Sequence, residues 1–216
     1  MAQVFLIVEG PSEEKFYKEI FADYFNPNHF FEVTIIPNKK NAYSRQKKGG
    51  SVSYDKTLQS IKRFLSEASH CDYVILILDY YGLHETFLEG YTGTDELEHK
   101  TNYIIERLKY EVNNPRFRFF LQVHEFEAFL FSDVQKIADH FQKSDLESYF
   151  KAILDSFDNN PELINNSKET APSQRIYNQI PNFGKILDGN SIARKIGIQK
   201  IRDQCPRFNS FCSLFD

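Results

Sequence analysis

Three strand-like runs in this chain lead into acids. Val4 to Val8 is followed by Glu9, Tyr73 to Leu78 by Asp79, and Phe117 to Val123 by His124, Glu125, Phe126 and Glu127. A further acid, Glu13, stands four positions after Glu9. Carboxylates gathered at one edge repel one another unless a cation sits among them, and hard divalent ions such as Mg²⁺ prefer oxygen ligands. The spacing therefore points to a metal site. Each piece also has a plainer role: Glu13 and Glu14 suit a helix start, Asp79 a turn, and His124 a helix start or a core position.

The elements that must present these acids follow from the apolar periodicity. Val4 to Val8 has the length and composition of a buried strand, and Glu9-Gly10-Pro11-Ser12 a turn into a helix that Ser12 can cap. In that helix Phe16, Tyr17, Ile20, Phe21 and Tyr24 recur at spacings of three and four. Strands are expected over Phe31 to Pro37, Tyr73 to Asp79 and Phe117 to Val123, with helices over Ser53 to Ser69 and Asp95 to Val112. Alternating strands and helices predict an α/β fold with a mostly parallel four-stranded sheet. In such sheets ligands sit beyond the carboxyl ends of the strands, where these acids fall. After residue 123 the strand signal stops. Helices are expected over His124 to Phe131, Val134 to Phe141 and Leu146 to Phe157, then loops with short helices. This predicts a domain over residues 1–130 and a helical lobe over 131–216 packed on it.

The run Val8-Glu9-Gly10-Pro11-Ser12-Glu13 resembles the opening motif of Toprim domains, especially those of overcoming-lysogenization-defect (OLD) nucleases. Four further blocks look together like the bacterial domain of unknown function family 4276: Leu78 to Leu83, Gln122 to Asp133, Lys168 to Arg175, and the tail from Asp188-Gly189 through Ile196-Gly197-Ile198 to Phe208. The resemblance implies a Toprim-like, Rossmann-like fold whose first Glu and an Asp after the third strand bind Mg²⁺ (or Mn²⁺) and act on phosphodiesters. Toprim enzymes generally end the third strand in Asp-x-Asp, whereas this chain has Asp79-Tyr80-Tyr81. Glu125 or Glu127 then supplies the missing carboxylate, or one metal is held, or activity is lost. The resemblance also implies an ABC- or AAA-type ATPase as partner and a place in antiphage defence.

The expected site comprises Glu9, Asp79, His124 and Glu127 as catalytic residues, with Glu9, Glu13, Asp79, Glu125 and Glu127 as metal ligands. Nucleic acid would be gripped by Lys39, Lys40, Arg45, Lys47 and Lys48, a basic stretch without an acid, and by Lys168 and Arg175. The expected activity is Mg²⁺-dependent hydrolysis of DNA or RNA; the alternative is a non-catalytic adaptor or sensor that binds a partner ATPase.

Composition narrows the remaining classes. The 216 residues amount to about 1.4 typical domains of roughly 150 residues. Hydrophobic residues are 41% and charged residues 26%, which suits a chain with a packed core. A net charge of -4 means that any polyanion binding must rest on local patches. No apolar run approaches the roughly 20 residues of a membrane span, and no secretory leader is legible, so the cytoplasm is expected. Cys71, Cys205 and Cys212 have neither disulfide-framework nor zinc-ribbon spacing and are read as packed, reduced thiols. No phosphate-loop motif for ATP hydrolysis occurs. With 21 Phe, 12 Tyr and no Trp, aromatic rings must carry much of the burial.

Overall fold

The computed structural model describes residues 1–37, 52–123, 125–164 and 168–216. The basic stretch Lys39, Lys40, Arg45, Lys47 and Lys48, and His124, lie outside the described residues. By internal packing the chain divides into two units, Met1–Gly10 with Pro27–Leu121, and Pro11–Asn26 with Gln122–Asp216. The boundary expected from the sequence, at residue 130, keeps the first helix with the sheet; the packing assigns that helix to the second unit instead.

The first unit is built on a four-stranded sheet of β1 (Ala2–Val8), β2 (His29–Ile35), β3 (Tyr73–Asp79) and β4 (Phe117–Gln122), in the order β2-β1-β3-β4. β1 runs parallel to both neighbours, with Phe5 opposite Glu32 and Ile7 opposite Leu76. This is the expected α/β sheet with helices between its strands. β3 is buried from Val74 to Leu78, which is why it reads as an unbroken apolar run rather than an alternation. Two helices supply much of the apolar packing, α3 (Tyr54–Glu67) and α4 (Leu97–Val112). Ile61, Phe64 and Leu65 of α3 and Ile104 and Leu108 of α4 join Ile7, Val74, Leu76 and Leu78 in one core. Arg116 locks the end of α3, donating from its guanidinium to the carbonyls of Leu65, Ala68 and Cys71 at 2.7 to 3.0 Å.

Among the described residues, the second unit has no strand of its own apart from the last residue of β4. It opens with α1 (Pro11–Phe16), a π-helical turn (Tyr17–Phe21) and α2 (Ala22–Phe25), which together span the expected single helix. Phe16, Tyr17, Phe21 and Phe25 line up on one face, because they recur along the helical period. That face meets the far end of the sequence: Phe16 packs on Phe126, Phe129 and Phe208, and Phe21 on Phe208, Phe211 and Phe215. This aromatic core explains why residues 11–26 belong with the C-terminal helices.

The second unit continues with a 3₁₀ segment (Phe126–Asp133), α5 (Val134–Phe141), α6 (Asp145–Asp155), short 3₁₀ turns at Pro161–Leu163 and Lys168–Thr170, α7 (Pro172–Gln179), a π-helical turn (Lys185–Gly189), α8 (Asn190–Ile196), α9 (Ile198–Gln204) and α10 (Pro206–Cys212). Where an α-helix was expected over 124–131, the chain forms 3₁₀ turns buried almost all round, from Phe126 to Ser132. A segment with no exposed face offers no amphipathic period to read.

Candidate metal centre

In the first unit, the two acids at the ends of neighbouring strands meet. β1 and β3 are adjacent and parallel, so the residues that leave them, Glu9 and Asp79, emerge on the same edge. The Asp79 backbone N–H donates to Glu9 Oε2 at 3.4 Å, a long bond that nevertheless fixes the neighbourhood of the two residues. Gly82, in the short 3₁₀ turn after β3, passes beneath the Glu9 carboxylate. A Cβ on Gly82 would stand 3.1 and 3.3 Å from the two Glu9 oxygens, so only glycine leaves the carboxylate its present position. Glu9, Thr57, Leu78 and Gly82 share a small recess with Ile36, Val52 and Leu83. The Thr57 hydroxyl is fully buried and has no hydrogen-bond partner among the described residues.

In the second unit a further acidic group forms around a lysine. Glu127 is buried, and Lys185 Nζ lies 3.2 Å from its Oε1 and 4.0 Å from Glu125 Oε1. Burial pushes the Glu127 carboxyl up to about 7; Lys185 opposes that rise, while Glu125 and Glu13 add to it. Burial works against the Lys185 charge, but the facing carboxylates Glu127 and Glu125 outweigh it and raise its pKa above the usual lysine value. Lys185 is thus the fixed cation among Glu13, Glu125 and Glu127. Three acids against one ammonium leave an excess of negative charge.

Glu125 and the turn that carries Lys185 are braced. The Ser173 backbone N–H, in the first turn of α7, donates to Glu125 Oε2 at 3.1 Å. Lys185 begins a π-helical turn, Lys185–Gly189, whose Asp188 carboxylate accepts from the Gly184 N–H at 2.7 Å and meets His140 Nε2 at 3.0 Å. Gly189 lies against the Phe126 ring, where an added Cβ would come within 3.2 Å. The Ser173 and Asp188-Gly189 blocks singled out in the sequence therefore position Glu125 and Lys185.

Lys185 itself was not anticipated. It stands far along the chain from the acids it faces, and the signal that pointed to it was the Asp188-Gly189 pair three positions on. Arg175, expected to grip phosphate, turns its Nε to the Thr170 carbonyl at 2.7 Å and lies over the Phe157 ring. Glu14 pairs with Lys18 four residues on, as a helix-surface acid does.

The donors fit the ion that the acid pattern implies. All are carboxylate oxygens, the preference of Mg²⁺ and Mn²⁺, and the buried Thr57 hydroxyl gives the Glu9 recess a polar group with no hydrogen-bond partner among the described residues.

An α/β protein with carboxylates on neighbouring strand ends is thereby defined. The chain belongs to the family described as Domain of unknown function (DUF4276), whose model matches residues 8–215. Among solved structures it is similar to the C-terminal region of the Xanthomonas campestris pv. campestris OLD protein, with 13% identity, a TM-score of 0.43, and coverage of 99% of this chain and 95% of that one. No curated protein matches it. Among the described residues, no helix is long and apolar enough to cross a membrane.

Proposed function

We propose that this protein is a metal-dependent nuclease that hydrolyses phosphodiesters of DNA or RNA. The observation that carries the reading is the meeting of Glu9 and Asp79 at the ends of two adjacent parallel strands, with Gly82 packed so close to the Glu9 carboxylate that a side chain there would displace it. Glu9 and Asp79 would hold Mg²⁺ or Mn²⁺ in the first unit, and Glu13, Glu125 and Glu127 are the carboxylate donors of the second. Such an ion, when bound, supplies Lewis-acid stabilisation of phosphoryl charge and an activated water.

The chain's own groups have distinct tasks. Lys185 Nζ offers a positive charge fixed by two carboxylates, suited to a phosphate oxygen on which charge builds. Glu127, with its pKa near 7, can hold or release a proton at its Oε1 close to neutral pH. Ser173 and Asp188 orient Glu125 and Lys185 through the hydrogen bonds described above. Lys39, Lys40, Arg45, Lys47, Lys48 and Lys168 are proposed to contact the nucleic-acid backbone, and His124 to move protons. Arg175 Nε is held by a carbonyl, so its share in binding is the remaining face of the guanidinium. Work beside an ATPase subunit in antiphage defence, in the cytoplasm, completes the proposal.

The test is cleavage of linear and circular DNA and of RNA by the purified chain with Mg²⁺ or Mn²⁺, alone and with a candidate ATPase. Cleavage that falls to background in Glu9→Ala and Asp79→Ala, with folding intact, is expected. No cleavage under any of these conditions would overturn the nuclease reading and leave the adaptor, which the Tyr81 side chain in place of a second acid favours.

A further inference from the structure

A different set of ligands gathers elsewhere in the first unit. Glu32 is on the sheet-edge strand β2, and His70 and Cys71 are in the turn between α3 and β3. One ligand atom from each lies within 4.8 Å of the other two, and His70 Nε2 is already 2.8 Å from Glu32 Oε1. Cys71 precedes β3, whereas Asp79 ends it, so this group belongs to the opposite end of that strand from the Glu9 and Asp79 acids.

The chemistry of the three donors differs from that of the acid groups. A thiolate and an imidazole favour a borderline-soft ion and discriminate against Mg²⁺. Zinc bond lengths of about 2.0 Å to nitrogen or oxygen and 2.3 Å to sulfur place tetrahedral donors roughly 3.5 Å apart. The observed separations, from 2.8 Å to no more than 4.8 Å, bracket that spacing.

Rigidity is divided usefully among the ligands. Cys71 is buried and held on both sides of its peptide: its N–H donates to the Ala68 carbonyl at 3.1 Å, and its carbonyl accepts from Arg116 at 3.0 Å. The next residue, Asp72, is fixed by its N–H to the Gln3 carbonyl at 2.8 Å and by its carboxylate to the Gln3 N–H. His70 and Glu32 are solvent-accessible, with about half and two-fifths of their side chains exposed. They can turn by a rotamer to close on an ion, while the sulfur stays still.

We propose that Glu32, His70 and Cys71 form a zinc site, with the fourth position open to water, that fastens the turn before β3 to the edge strand β2. The site is independent of the nuclease reading. Its imidazole–carboxylate hydrogen bond is the metal-free form, which the ion replaces. Because the ion binds the folded arrangement, zinc raises the stability of the unit that carries it.

The test is titration of the chelator-treated full chain with Co²⁺ and then Zn²⁺. Expected are one equivalent of Co²⁺ with intense tetrahedral visible bands and a thiolate-to-cobalt charge-transfer band, both displaced by Zn²⁺. Zn²⁺ should also raise Tm. In Cys71→Ser the charge-transfer band disappears, and in His70→Ala and Glu32→Gln, at exposed positions that fold regardless, affinity falls at least about tenfold and the Tm rise is lost. A wild-type chain without the charge-transfer band overturns the site, as does a band retained in Cys71→Ser or His70→Ala binding zinc as the wild type does. Mg²⁺-dependent cleavage is measured separately, so its absence leaves this result standing.

Discussion

The glycine under Glu9 makes a sharp demand on a single atom. Gly82→Ala adds a methyl group 3.1 Å from a carboxylate oxygen in a backbone conformation that alanine tolerates, so the fold should survive while Glu9 moves. Displacing a ligand through its neighbour typically costs about 10- to 100-fold in metal affinity or activity. That loss is expected for Mn²⁺ binding by calorimetry, with Tm unchanged to within a few degrees. Equal Mn²⁺ affinity in the variant would remove Glu9 from the ligand set.

Glu127 offers a test by pH. Its pKa is about 7 in the folded chain against an ordinary 4.5, so between these values the metal-free folded state keeps a proton that the unfolded state has released. Stability contributed by the protonated form is full below pH 4.5 and is lost as pH rises through about 7. Glu127→Gln cannot lose that proton. Its Tm relative to wild type, in chelator, should therefore be more favourable at pH 8 than at pH 5, and an equal difference at both would show that the carboxyl titrates normally.

At this scale much is legible in the sequence. Glu9 and Asp79 fall at strand ends because a short, fully buried strand is an unbroken apolar run, and the first charged residue marks where it leaves the core. Lys185 and the Glu32, His70 and Cys71 group were not legible. Lys185 and Glu32 lie dozens of positions from the residues they face, and a buried cysteine beside a histidine looks the same whether it packs or ligates.

At the scale of elements, a buried carboxylate organises the last helix. Glu162 accepts from the backbone N–H groups of Arg207 at 2.8 Å and Phe208 at 2.9 Å, the first turn of α10. Those donors have no partner within the helix, so the carboxylate does what a capping side chain would do. Glu162→Ala should cost about 2 kcal/mol in urea unfolding, since charged hydrogen bonds contribute roughly 1.5 to 3 kcal/mol each and water replaces part of the loss. A change under about 0.5 kcal/mol would mean that α10 does not rely on the contact.

Strand positions were readable because β1 and β3 are largely buried and so show unbroken apolar runs. The 3₁₀ segment after β4 and the π-helical turns at Tyr17–Phe21 and Lys185–Gly189 were not. Their hydrogen-bond spacing differs from that of an α-helix by a single residue, which over one or two turns leaves no distinct side-chain period.

At the scale of the molecule, part of the abundance of phenylalanine goes into an extended ring cluster in the second unit, built on Phe16, Phe21, Phe25, Phe126, Phe129, Phe208, Phe211 and Phe215. Phe208 touches Phe16, Phe21, Phe129 and Phe211 and is fully buried. Phe208→Ala is expected to destabilise by about 3 to 5 kcal/mol, the range for large aromatic truncations in cores, read as a lower urea midpoint at an unchanged slope. A loss below about 1 kcal/mol would show that the cluster is not a cooperative core.

That cluster joins rings from near the start of the chain to rings near its end, and this has a consequence for synthesis. While the polypeptide leaves the ribosome, Phe16, Tyr17, Phe21 and Phe25 emerge well before Phe208, Phe211 and Phe215. The sheet strands can pair as soon as β4 is out. Phe21 and Phe25 lack the rings of Phe208, Phe211 and Phe215 until α10 and the residues after it have been made, and non-local contacts of this kind form slowly and expose apolar surface meanwhile. During that interval α1 and α2 are natural clients for a chaperone, and a ribosome stalled before α10 leaves Phe16 with Phe126 and Phe129 but without Phe208, and Phe21 without Phe208, Phe211 and Phe215.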